Sequence, residues 1–89
     1  MTSVSIRNPW DGTVVGEVPL AGPAELEAAT RRAVAAFEVL RALPRHARAD
    51  ILSRAAVLVE ARAEALAVQL VRESGKPIRF ARGEVARTA

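Results

Sequence analysis

Apolar and polar positions divide the chain into one alternating stretch and three stretches of helical period. In SVSIRNPWDGTVVGEVP, Val4 and Ile6 fall on one side of a period-two pattern. Asn8-Pro9-Trp10-Asp11-Gly12 follows, dense in turn formers, with Asp-Gly suited to positive φ. Val14 to Val18 forms a second β-branched run, so residues 1–20 are predicted to form a β-hairpin. Two strands alone are marginal in water, so the hairpin is expected to pack on something else.

The first helical stretch, residues 22–42, places Leu26, Ala29, Ala33, Phe37 and Leu40 in one apolar stripe. Gly22 suits the cap, Pro23 the first helical position, and Glu25 and Glu27 the positive end of the dipole. Glu27 and Arg31 are spaced as an i,i+4 pair, and Pro44 punctuates the end. Residues 44–74 are predicted to form one long helix, with Ile51, Ala55, Leu58, Val59, Leu66 and Leu70 along one face and Asp50 beside Arg54 on the outside. Gly75 stands where a left-handed cap belongs, with Lys76 solvated near the negative end. Residues 77–89 form the third predicted helix, and Gly83 inside it is read as a close helix contact, since glycine there costs about 1 kcal/mol against alanine. That helix runs to Ala89 with no cap or stop, which leads us to expect a continuing chain.

Composition sharpens this picture. Of 89 residues 51% are hydrophobic, yet only Trp10, Phe37 and Phe80 are aromatic, and alanine carries much of the count. Alanine favours helix but buries little area, so the segment is expected to lean on other surfaces. Thirteen basic residues against ten acidic ones give a net charge of +3, a weak sign of nucleic acid binding. All the basic residues but Lys76 are arginine. There is no cysteine, which excludes disulfides, thiolate metal sites and a thiol nucleophile within the segment. The start lacks a charged region followed by an apolar run, and no apolar stretch is long enough to span a bilayer. A cytoplasmic protein without a membrane partner is the expectation.

Candidate chemistry is sparse. Gly75-Lys76 suggests half of a phosphate loop, but the motif's earlier glycine is Leu70 and its Ser or Thr is Pro77. His46 is single, the serines lack a nucleophile elbow, and Glu60 and Glu64 share a polar helix face. Arg41, Arg45, His46 and Arg48 could grip phosphates, but no aromatic interleaving supports strand stacking, so they read as a solvated loop. No catalytic and no cofactor-binding residue is assigned.

Asn8-Pro9, Gly16-Glu17-Val18-Pro19, Phe37, Glu73-Ser74-Gly75-Lys76-Pro77 and Gly83-Glu84-Val85 occur in one order at consistent spacing. As a series covering nearly the whole chain, they resemble the N-terminal part of the NAD(P)-dependent aldehyde dehydrogenase superfamily. The resemblance implies a mainly α segment with an N-terminal β-hairpin, a fragment of the α/β cofactor-binding domain of that fold. Residues 1–89 would be a single incomplete segment of that larger domain. Its partner would be the remainder of a several-fold longer, typically homo-oligomeric enzyme. Such enzymes oxidise an aldehyde through a cysteine thiohemiacetal, pass hydride to NAD or NADP, and hydrolyse the thioester with a glutamate base. Those groups lie downstream of the matched part, so the segment alone is expected to bind no cofactor, and Glu73 is not that base. Many relatives hold a structural monovalent cation, and the matching positions are the backbone carbonyls of Ile6 and Arg7 with Glu84; oxygen ligands of this kind suit a hard cation. The form RNPWDGTVVGEVP is similar to members acting on lactaldehyde, semialdehydes or phosphonoacetaldehyde. Two other readings stay open: a free-standing helical interaction module, and a small phosphate or nucleic acid binder.

Overall fold

A computed structural model describes residues 2–89. Strand β1, Ser3–Arg7, pairs antiparallel with β2, Val14–Pro19, placing Ser3 opposite Pro19 and Ile6 opposite Gly16. The ladder is irregular between Ile6 and Arg7, where Arg7 pairs with Val14. Short polar side chains close the turn: Trp10 N–H donates to Asn8 Oδ1 and Thr13 N–H to Asp11 Oδ1, each at 2.9 Å. Gly12 takes φ 75, the left-handed value expected of the Asp-Gly step. The mainly helical chain with an N-terminal hairpin is therefore as expected.

Helix α1 spans Pro23–Ala42, with Pro23 at its first position. Glu25 reaches back to accept the Gly22 N–H at 3.0 Å, satisfying a donor that glycine has no side chain to help. The predicted i,i+4 pair is present, with Arg31 Nη1 2.9 Å from Glu27 Oε1.

The long helix predicted over 44–74 is two helices, α2 at Arg45–Ala61 and α3 at Ala63–Ser74. Arg62 leaves the helical region at φ −114, ψ 16, and its N–H bonds to Val59 O, one residue short of the helical partner. The cause lies in packing. Helix α4, Ile78–Thr88, touches both α2 and α3, and the bend keeps Val59 of α2 on the cluster that α3 and α4 build. Leu58 and Ile51, expected on the same inner face, are exposed.

That cluster is small. Ala67 of α3 and Ala81 of α4 are fully buried, Val85 nearly so, and Val59, Ala63, Leu66, Leu70, Val71 and Ile78 surround them. Small residues at the centre let the two helices approach closely and save little area. Helices α1 and α2 bury no residue fully, and the α1 stripe lies open, with Phe37 60% exposed. The whole measures 47 × 34 × 15 Å, little thicker than one helix with its side chains.

Candidate functional site

The feature that ties the segment together is the corner between α3 and α4, Glu73-Ser74-Gly75-Lys76-Pro77. Ser74 Oγ donates back to Leu70 O at 2.6 Å, and Gly75 closes α3 at φ 71 with its N–H on Val71 O at 2.8 Å. Only glycine adopts this conformation freely, so the helix ends here for a backbone reason. Pro77 then caps α4, accepting the N–H groups of Phe80 and Ala81. Strand β1 lies against α3, and the turn after it delivers Pro9 onto the Gly75 Cα. The Asn-Pro turn and the Gly-Lys-Pro corner, remote in sequence, share one cleft lined by Asn8, Trp10, Val71, Gly75, Lys76 and Ile78, among others.

Lys76 is not the solvated side chain expected. Its Nζ donates to Glu84 Oε2, across the corner and two turns into α4, and both side chains are half-buried. The Lys76 ammonium, with a smaller contribution from Arg87, holds the Glu84 carboxyl below the usual carboxylate range. A second link joins the same helices: Arg82 Nε and Nη2 donate to the two oxygens of Glu64 at 3.0 and 2.7 Å. The Arg82 hydrogen bond likewise lowers the Glu64 carboxyl. Lys76, Arg79, Phe80, Gly83, Glu84 and Arg87 line an open cleft of about 600 Å³, with Arg79 4.6 Å from the Phe80 ring centre. Nothing stands within 4 Å of a β-carbon placed on Gly83, so that glycine faces the cleft and marks no close helix contact.

The positions suggested for a cation are distributed as follows. Ile6 and Arg7 flank the irregular step of β1, and Arg7 turns its guanidinium to Gly12 O at 2.9 Å. Glu84 lies on α4, already paired with Lys76. Two carbonyls and a carboxylate are suitable donors for a hard cation; in this arrangement the Glu84 carboxylate is held by the Lys76 ammonium. Among the described residues no three His, Cys, Asp or Glu side chains converge. Glu60 and Glu64 are separated by the break at Arg62, and Glu64 is taken by Arg82. Arg41, Arg45, His46 and Arg48 are exposed, and Arg41 pairs with Glu38 at 2.9 Å. No helix is long and apolar enough to cross a membrane among the described residues. The arrangement supplies contacts and charge pairs rather than a nucleophile.

A family model described as aldehyde dehydrogenase family matches residues 1–89. The chain is 41% identical, over 98% of its length, to a putative aldehyde-dehydrogenase-like protein of Sinorhizobium fredii. It is 37% identical over 94% to aspartate-semialdehyde dehydrogenase 1 of Pseudomonas canavaninivorans, and 43% identical over 93% to N-succinylglutamate 5-semialdehyde dehydrogenase of Burkholderia mallei. It spans only 17%, 18% and 17% of these three relatives, respectively.

Proposed function

The chain belongs to the aldehyde dehydrogenase family, and from that premise we propose that it is the N-terminal structural segment of a longer enzyme that oxidises an aldehyde to an acid with NAD or NADP. The observation that carries this reading is a match running through all of residues 1–89 while covering under a fifth of each relative. The exposed apolar face of α1 and the exposed side of α2 support it, because they present surface that only a further layer would dry. In this reading residues 1–89 are one incomplete segment of the cofactor-binding domain, and its partner is the remainder of a cytoplasmic, homo-oligomeric enzyme. The nucleophile, the general base and the dinucleotide contacts come from that remainder, since the segment has no cysteine. Two relatives named as semialdehyde dehydrogenases favour a semialdehyde as substrate.

The cation position at the Ile6 and Arg7 carbonyls and Glu84 belongs to this proposal as well. It requires Lys76 to leave Glu84. The test of the main reading is expression of the longest reading frame containing residues 1–89, assayed with semialdehydes and both cofactors. Reduced cofactor from the long chain, and none from residues 1–89, is expected. A verified stop after Ala89 with no cysteine-bearing continuation would overturn it.

A further inference from the structure

Gly83 stands in the middle of α4 on an ordinary helical backbone, unlike the left-handed Gly12 and Gly75. An interior glycine weakens a helix relative to alanine, and no conformation requires one here. Nor does packing, since a β-carbon at this position would meet nothing within 4 Å among the described residues. The glycine instead forms the floor of the cleft lined by Lys76, Arg79, Phe80, Glu84 and Arg87. Such an opening is what another stretch of chain needs to come close to the helix axis.

The charges around the opening set the chemistry of what enters. Lys76 and Glu84 neutralise each other. Arg79 and Arg87 lie about one helical turn before and after Gly83, about 12 Å apart along the axis. Both are exposed, and among the described residues neither has a carboxylate partner. Arg79 lies over the Phe80 ring, which is itself 54% exposed. Two unpaired guanidinium groups beside an aromatic ring suit a polypeptide that carries two carboxylates and an apolar side chain. Carboxylates about eight residues apart on a helix, or about four on a strand, have the matching separation. Exposed pairs of this kind are individually weak, so an untethered acidic peptide holds poorly; one in the same molecule meets the cleft at high effective concentration. The chain spans under a fifth of each relative named above, so in the proposed enzyme most of the polypeptide lies outside residues 1–89.

We propose that the cleft over Gly83 is the docking site for an acidic stretch of the same enzyme chain, held by Arg79 and Arg87 and lying against Phe80. The inference rests on the reading of residues 1–89 as a segment of a longer enzyme, and adds where and by what chemistry the two parts meet.

The test uses the longest expressed chain containing residues 1–89, with Arg79→Lys and Arg87→Lys, and a carbodiimide that joins an amine to a carboxylate without a spacer. The bonded Lys76 and Glu84 provide the control link. Mass spectrometry should find position 79 or 87 joined to an Asp or Glu beyond residue 89. In protein refolded from mixed isotope-labelled and unlabelled chains, both ends should carry the same label. Gly83→Leu fills the opening and should cut the yield of these links several-fold while sparing the control link. Links confined to residues 1–89, links only between differently labelled chains, or an unchanged yield in Gly83→Leu would each overturn the docking site. Missing links in a chain that oxidises aldehyde would overturn it and leave the enzyme reading standing. Links present in a chain without turnover would do the reverse.

Discussion

Pro9 Cγ lies 2.9 Å from the point where a β-carbon on Gly75 would stand. The first turn of the chain thus closes on the one residue that ends α3, and it does so only because that residue is glycine. Gly75→Ala meets two obstacles, the left-handed φ of 71 and the proline ring. The backbone part alone costs about 1–2 kcal/mol. The expected outcome is a lower denaturant midpoint and a hairpin parted from α3. Pro9→Ala in that background should recover the steric part and leave the backbone part, so a double-mutant cycle should give a non-zero coupling. Additive effects would mean that the two residues do not touch in solution.

The Glu64–Arg82 link predicts an acid-side sensitivity. The Arg82 hydrogen bond lowers the Glu64 carboxyl, so its contribution is complete above the ordinary carboxylate range and lost as pH falls through the lowered value. Glu64→Gln should remove that part of the acid slope. Titrating helix content from about pH 6 to about pH 3, in wild type and variant, checks it. Identical slopes would count against the pair.

Helix α1 should exchange its amide protons well ahead of α3 and α4. Its backbone bonds are internal, but it buries no residue, whereas Ala67, Ala81 and Val85 close the α3–α4 contact. Exchange followed by mass spectrometry on residues 1–89 should rank the helices in that order. Equal protection of α1 would point to an association that covers its face.

Residues 1–89 alone should be partly helical and self-associating, and should reduce no cofactor when given aldehyde. The buried cluster is too small to hold a two-strand, four-helix segment firmly. A sharp cooperative melt with monomeric sedimentation would favour the free-standing module instead, and turnover would overturn the reading of the segment as structural.

Trp10 is 89% exposed beside the Asn-Pro turn. Its fluorescence should be that of a hydrated indole in residues 1–89, shifting to shorter wavelength once a longer chain covers the turn. Trp10→Ala should change the stability of the segment by less than about 0.5 kcal/mol. A blue-shifted spectrum in the segment alone would show a contact that the hairpin lacks here.

The parts of this fold legible in the sequence are those governed by neighbours in the chain. Gly12 and Gly75 adopt the left-handed values that their turn and cap positions require, and Pro23 opens α1 as expected. The break at Arg62 has no such signal, because no Gly or Pro stands there; it follows from α4 packing on both α2 and α3. For the same reason the residues next to Lys76 in the chain point to a solvated side chain. Its pairing with Glu84 depends on the angle at which Pro77 sends α4 back, and residue spacing alone does not state that angle. Lys-Pro followed by a glutamate two helical turns on was the available hint. The stripe from Leu26 to Leu40 was recognisable as one face, but periodicity does not say what lies against it.

The 15 Å thickness of the segment bears on how its variation is read. A slab of that depth has two faces and almost no inside, so the fitness of a side chain such as Phe37 or Leu52 is judged by the surface that comes to lie on it. A stability screen of residues 1–89 would score changes at those positions as neutral and changes at Ala67 or Ala81 as severe. In an assembled molecule the two groups would be filtered together, and the screen would mistake half of the segment's information for noise.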